Sequence, residues 1–541
     1  MFDNTKPNII LLSDIGNQIP FEKTIGPYKI AKQLRDAGFE VVVVHHLMAF
    51  SITEIKHIIS NLVSTKTLFV GVNNFFYKKV ANQNVFELVF PDLGSILPHG
   101  KEYNREIKDL IQSINPQCKL VLGGPSASDV EFNRIFDYVL LGYAEMSSVN
   151  LAQHLLDKVT LEKSRKSIFG FTIVDDSKAE GYDFVNHTME YKSHDAILDK
   201  ETMVIEVARG CIFKCKFCSY PLNGKKKLDF IRIEENLYRE LMTNYEKYGT
   251  TRYTISDDTL NDSVEKCEML YNLRQRLPFQ PEFWAYIRLD LLAAHPETIG
   301  MLYEFGLRAP LYGIESLNED SAKFIGKGGS RERLIDTLKF IKNKYGNSIN
   351  QTGSFIFGLP KESVQSLKQT AEWLLSDDNP LDTWDCFPLI IRDSNVINAT
   401  NGFISDFDRN WKNYGYIDTG ETSSKYYKEG TIVWKNQYTD YNYVSSLIED
   451  IYRTSKERKA DRVIGRIAMV IASLTNEPIV DIFSKRFDEV DWHLLDKLKL
   501  QKTLEYKNKL FYHCNIPDLM RDKDYNTFSD FLKSSEYYRN A

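Results

Sequence analysis

The sequence predicts an α/β protein built from an N-terminal doubly wound, Rossmann-like parallel sheet, a partial (β/α)6 barrel of the TIM type, and a small, mostly helical C-terminal part. Three observations support this. From Pro7, continuous apolar runs alternate with amphipathic stretches. From Met203, a second series of six such runs follows within about 190 residues, too few for a complete eight-stranded barrel. Beyond Asn401 the alternation lapses and aromatic side chains crowd together.

The first series reads NIILLSD, a helix from about Pro27 to Ala37, FEVVVVHHL, a helix from Ser51 to Leu62, TLFVGVNN, a helix from Glu102 to Ile114, CKLVLGG and DYVLLGYAE. Strands that are apolar throughout and separated by helices belong to a parallel sheet covered on both faces. Ligands of such sheets sit beyond the carboxyl ends of the strands. That edge is expected to consist of Ser13 and Asp14, Gly71, Val72 and Asn73, Gly123, Gly124, Pro125 and Ser126, and Gly142 to Glu145. The first strand ends in Ser13-Asp14-Ile15-Gly16-Asn17, without the G-x-G-x-x-G of a dinucleotide site. Residues 1–157 are assigned to this domain and the polar stretch 158–200 to a connector.

The second series, within residues 201–400, comprises MVIEVARG, RYTISDD, EFWAYIRLD, APLYGIES, GSFIFGLP and WDCFPLII. Residues 401–541 contain Trp411, Tyr414, Tyr416, Trp434, Tyr438 and Tyr441, then helices near Val444 to Arg458 and Asp461 to Leu474. Core packing is the expected role of this aromatic stretch, with a lid over a substrate as the alternative.

Of the 541 residues, 43% are hydrophobic and 26% charged, which excludes a disordered chain. With 68 basic against 74 acidic residues there is no overall electrostatic footprint for nucleic acid. No apolar run approaches the ~18 residues of a membrane span, and Asp3 followed by a short apolar stretch does not make a secretory signal, so a cytoplasmic location is expected. Seven thinly spread cysteines do not form a disulfide framework.

Three of them are clustered. In ARGCIFKCKFCSYP, Cys211, Cys215 and Cys218 follow the spacing C-x3-C-x2-C directly after a strand. Three thiolates can each take one iron of a 4Fe-4S cluster and leave the fourth iron open to a reactant. Structural zinc, the rival, needs a fourth Cys or His close by, and none follows. The Lys225-Lys226-Lys227 run reads as a solvated loop, with a substrate carboxylate or phosphate contact as the alternative.

With Phe217 as the aromatic of C-x3-C-x-aromatic-C, the chain resembles the radical S-adenosylmethionine superfamily. The resemblance implies a 4Fe-4S cluster whose open iron chelates S-adenosylmethionine, reductive cleavage to a 5'-deoxyadenosyl radical, and an electron donor such as flavodoxin or ferredoxin. It places Glu315 and Ser316 near the ribose, Arg288 in the same pocket, and Ile356 and Gly358 beside the adenine. Where many members carry Gly-Gly-Glu to hold the methionine amine, this chain has Ser256-Asp257-Asp258-Thr259, and either Asp257 or Asp258 could accept the ammonium.

The N-terminal segments GPYKIAKQLRDAGFEVVVV, LVLGGPSAS and VLLGYAE resemble the cobalamin-binding domain of cobalamin-dependent members of that superfamily. The histidine of D-x-H-x-x-G is replaced by Gly16, so cobalamin is expected without a histidine ligand, and His45 and His46 are expected to be loop or core-edge residues. Gly123 and Gly124 would let a flat corrin approach the backbone. The function implied is methylation of an unactivated carbon or phosphorus centre of a small-molecule or peptide substrate. A non-methylating rearrangement, cyclisation or coupling is the alternative, and an iron–sulfur sensor or assembly protein the non-enzymatic one.

Overall fold

β-branched and leucine runs buried on both faces have one stable arrangement, the interior of a sheet between helices. The runs found in the sequence take it. In the computed structural model, Ile9–Leu12 (β1), Val41–Val44 (β2), Phe69–Asn73 (β3), Lys119–Gly123 (β4) and Tyr138–Gly142 (β5) are strands. The first two are buried at every position. The structure describes residues 6–14, 22–47, 50–73, 100–124, 134–176, 180–220, 222–226, 228–393, 404–428, 430–457, 462–517, 526–527 and 530.

These strands pair in parallel in the order β2-β1-β3-β4-β5. The order reverses between β1 and β3, the switch point at which doubly wound sheets open a crevice. The segment expected to be a connector extends this sheet. Thr172–Asp176 (β7) pairs in parallel with β5, and Ser164–Lys166 (β6) runs antiparallel at the edge. β6 is three residues long and fully exposed, so no apolar periodicity marks it in the sequence.

The second sheet has six parallel strands in sequential order: Met203–Ile205 (β8), Arg252–Ile255 (β9), Glu282–Ile287 (β10), Leu307–Glu315 (β11), Thr352–Phe357 (β12) and Thr383–Pro388 (β13). Alternation sets its two faces. Phe283 packs on Phe305 and Phe355 on Trp373, both on outer helices. Trp284, Tyr286, Ser354 and Ile356 therefore point to the inner, concave face. The outer helices start at side-chain caps, among them Ser263, Asn318, Ser330 and Ser363.

C-terminal residues pack in three places. The helix Gly465–Thr475 fills the amino end of the barrel interior, where a Cβ on Gly465 would lie 2.6 Å from Ala309 Cβ and Asn350 donates to Val463 O at 3.2 Å. The helix Trp492–His513 lies on the first sheet, where Tyr506 Oη accepts from His45 N at 2.9 Å and Lys507 pairs with Glu54 at 2.8 Å. The aromatic stretch is core, as expected: Trp434, Tyr416 and Tyr441 are buried together. The surface it covers is the end of β12. Among the described residues, no helix is long and apolar enough to cross a membrane.

Candidate cofactor and substrate site

β8 delivers the chain to the cysteine loop. Gly210 has φ +105°, and a Cβ there would lie 2.7 Å from Leu222 O, so only glycine lets the loop fold against its own return. Each sulfur faces a donor. Phe213 N is 3.5 Å from Cys211 Sγ, Arg288 Nη1 is 3.3 Å from Cys215 Sγ, and Asn223 Nδ2 is 3.0 Å from Cys218 Sγ. Such donors suit the charged sulfurs of iron-bound thiolates. Burial pushes the Cys211 thiol up to about 11, so a bound cation is what would make it a thiolate at neutral pH. No three His, Cys, Asp or Glu side chains among the described residues converge on one ion. Thiolates that each bind a different iron need no such convergence.

The two aspartates after β9 separate cleanly. Asp257 accepts from Val207 N at 2.7 Å and Ala208 N at 3.0 Å and faces Lys266 Nζ at 3.4 Å, so it braces the strand that leads to Cys211. Asp258 is the one left over: its Oδ2 is buried without a hydrogen-bond partner, and burial, reinforced by Asp257, pushes its carboxyl up to about 6. A buried, unpaired carboxylate oxygen is costly unless a donor reaches it. Of the two, Asp258 is the acceptor open to an ammonium group.

Arg288 lies beside the cysteine loop. It forms a two-point pair with Asp290 through Nε and Nη2 at 3.0 and 2.5 Å, Nη2 also donates to Gly326 O, and Nη1 reaches Cys215 Sγ. Its backbone is clamped by Asn261, which accepts from Arg288 N at 2.8 Å and donates to Arg288 O at 2.9 Å. Phe217 packs at the edge of the core, with Lys327 Nζ 5.7 Å from its ring centre.

Glu315 ends β11 with φ 64° at a register shift against β12. A non-glycine residue in that region is strained and is held there by its surroundings. Lys327 Nζ lies 3.7 Å from its carboxylate. Ser316 Oγ donates to Glu362 Oε1 at 2.5 Å, and Glu362 Oε2 accepts from Gly358 N and Leu359 N at 2.8 and 3.0 Å. Glu362 thus ties the end of β11 to the end of β12. Gly358 has φ +89°, and a Cβ there would come 2.3 Å from Trp434 Cη2. Tyr416 Oη donates to Gly358 O at 2.8 Å. The C-terminal aromatic core therefore fixes the Gly358 turn, while Ile356 remains partly open on the concave face.

On the first sheet, Ser13 is buried. Its N–H donates to Val44 O, its carbonyl accepts from Leu47 N, and its hydroxyl accepts from Asn73 Nδ2 at 3.3 Å. Asp14 is also buried and lies within electrostatic reach of Lys499. A Cβ on Gly71 would press on Leu11 at 2.8 Å, whereas one on Gly123 would meet nothing within 4 Å among the described residues. Gly124 and Gly142 have positive φ, +118° and +85°. Pro125 and Ser126 lie outside the described residues, as does Gly16. His45 accepts from Thr24 N at 3.1 Å, and burial holds both His45 and His46 well below the usual histidine range.

Glu145 points across to the barrel. Its carboxylate lies 2.7 Å from Arg209, which also pairs with Glu206 at 2.9 Å and stacks on Tyr143, Tyr182 and Phe184. Lys29 completes the group through Glu206. Arg209, Asn261, Lys327 and Glu362 were missed in the sequence. Only Arg209 carried a signal there, its place two residues before Cys211.

Residues 205–374 match the Radical SAM superfamily. An uncharacterized methyltransferase of Pyrococcus horikoshii is 25% identical over 285 residues, 49% of this chain. The chain spans 60% of that relative's length. The structure of TsrM from Kitasatospora setae, a radical S-adenosylmethionine methyltransferase with cobalamin and a [4Fe-4S] cluster bound, superimposes with a TM-score of 0.61 at 12% identity, covering 92% of this chain and 99% of TsrM. The cobalamin-dependent radical enzyme OxsB aligns with a TM-score of 0.54 at 13% identity, over 98% of this chain and 83% of OxsB. Shared across both sheets, this fold accommodates the three donor-faced cysteines within the matched segment. Residues 205–374 are therefore a radical SAM domain, set in a fold that the chain shares with both of these solved structures.

Proposed function

We propose that this protein is a cobalamin-dependent radical enzyme that methylates an unactivated carbon or phosphorus centre of a small-molecule or peptide substrate. The observation that carries the reading is the Arg209–Glu145 contact, because it joins the carboxyl-end loops of the two sheets, the edges at which both kinds of sheet take ligands. Two cofactors held at those edges would face one substrate.

In this reading Cys211, Cys215 and Cys218 hold the cluster, Asp258 takes the ammonium of S-adenosylmethionine, and Glu315 and Ser316 lie at the ribose, with Ile356 and the Gly358 turn at the adenine. Gly123 and Gly124 give a corrin access to the backbone, and a Cβ on Gly123 would meet nothing within 4 Å among the described residues. When bound, the cluster supplies the electron that cleaves S-adenosylmethionine and cobalamin supplies a methyl carrier. The chain's own part is placement. Arg288 directs a positive charge at Cys215 Sγ, Glu362 fixes the two strand ends that border the nucleoside, and the Arg209 cluster sets one edge against the other. A one-electron reductant is required.

Cobalamin retention tests this reading. Anaerobically purified protein supplied with cobalamin should keep about one per chain, since the domain offers a single such edge. Its cob(II)alamin resonance should lack nitrogen splitting from the lower face. Retention in no oxidation state, with S-adenosylmethionine cleavage intact, would remove methyl transfer and leave a non-methylating radical reaction.

A further inference from the structure

The concave face of the barrel is closed below and apolar-walled above. The helix Gly465–Thr475 fills the amino end against Trp284 and Ala309. Tyr286, the next inner-facing residue after Trp284 on β10, and Phe387 on β13 point into the interior and stay 39% and 50% exposed. An aromatic ring inside a barrel that the chain itself does not cover is a wall for something else.

Asp385 stands among them. It shares the inner face of β13 with Phe387, in register with Ser354, which is in register with Gly313. The missing side chain at Gly313 leaves room for the Glu315 carboxylate, 2.7 Å from where a Cβ would be. Asp385 is thus two strands from the residue assigned to the ribose. No lysine or arginine among the described residues forms an ion pair with it. Arg466, a cation facing this interior, pairs through Nη2 with Glu22 at 3.3 Å and lies 5.2 Å from the Trp284 ring centre. Burial alone pushes the Asp385 carboxyl up to about 6, and Tyr286 lies within the electrostatic reach of Asp385, Asp258 and Arg466.

A half-buried carboxylate with no ion pair among the described residues gains from a ligand that brings a cation. Aromatic faces beside it favour the same charge and a flat apolar body. We propose that Asp385 anchors a cationic group of the substrate, an amine or guanidine, whose apolar body lies between Tyr286 and Phe387. This names the substrate class of the radical site and rests on that reading of the barrel.

The probe is 2-phenylethylamine, compared with its uncharged N-acetyl derivative. Each is titrated calorimetrically at millimolar concentration into cluster-reconstituted full-length protein that carries methionine and 5'-deoxyadenosine. The amine should bind at least about tenfold more tightly, in line with one charge-assisted contact. Asp385→Asn should erase the preference while iron content and thermal midpoint stay at the wild-type value, and Phe387→Ala should weaken both ligands. Equal binding, binding of neither, or a preference surviving Asp385→Asn would overturn the inference. Formation of 5'-deoxyadenosine by the reduced wild-type protein separates the two failures. If it forms without an amine preference, only the anchor is wrong; if it does not form, the radical reading is wrong.

Discussion

Arg209 Nη2 lies 2.7 Å from Glu145 Oε1, so the residue two places before the first cluster cysteine is bound to the helix that follows β5. The pair is buried on both sides and sits in a shell of Tyr143, Tyr182 and Phe184. It makes the cysteine loop and the first sheet parts of one unit.

Breaking a buried pair by removing one partner leaves a charge without compensation and costs roughly 3 to 5 kcal/mol. Glu145→Ala should lose stability on that scale in denaturant unfolding and should reduce iron retention, since Arg209 is continuous with the cysteine loop. A loss near 0.5 kcal/mol, ordinary for surface substitutions, would show that the junction does not depend on the pair.

Reconstitution should load about four irons per chain, and Cys211→Ala, Cys215→Ala and Cys218→Ala should each abolish the charge-transfer absorption. Alanine at Cys118, Cys267 or Cys386, each buried away from the motif, should leave iron content unchanged. Equal iron in the triple variant would contradict the assignment.

Asp257 and Asp258 should fail in different ways. Asp258→Asn should weaken S-adenosylmethionine binding by roughly 10- to 150-fold, the loss of one charge-assisted hydrogen bond. Asp257→Asn should act on the fold, since its carboxylate serves two backbone amides and Lys266. The ammonium needs the ionised Asp258 carboxylate, which burial pushes up to about 6. Affinity should therefore fall as pH drops through about 6, and Asp258→Asn should lack that fall. Binding titrations across pH decide the matter.

Glu362 should leave a signature in the pH dependence of stability. Burial pushes its carboxyl up to about 7 in the folded chain, against about 4.5 as the ordinary value. Between those values the native state keeps a proton that the unfolded state has lost, so stability falls as pH rises from about 4.5 to about 7 and levels off above. The fall attributable to this group is up to about 3 kcal/mol. Glu362→Gln, which can keep the bonds to Gly358, Leu359 and Ser316, should flatten it. An unchanged profile in urea unfolding would show that Glu362 is already ionised below pH 5.

What was legible in the sequence was local. Strands β1 to β5 and β8 to β13 announce themselves by apolar runs, and the cysteine spacing lies within eight residues. What was not legible depends on residues far apart in sequence. Asp257 could be told from Asp258 only once Val207 and Ala208 were seen to donate to it, 50 and 49 positions away. The sequence placed Gly358 beside the adenine, but its tightest constraint is Trp434, brought in from the C-terminal part. The role of Gly465 appears only when its helix is found inside the barrel against Ala309. Strand β6, short, exposed and charged, carries no hydrophobic period to detect.

The most direct test of the account is product analysis after mixing reduced, cluster- and cobalamin-loaded protein with S-adenosylmethionine in the absence of substrate. The account predicts S-adenosylhomocysteine in a burst of about one per bound cobalamin, because methyl transfer to the carrier stops when the carrier is filled. It also predicts slow 5'-deoxyadenosine formation that disappears when Cys211, Cys215 and Cys218 are replaced. Deoxyadenosine without any cobalamin-dependent S-adenosylhomocysteine would contradict methyl transfer, and the absence of both from a fully loaded protein would contradict the account as a whole.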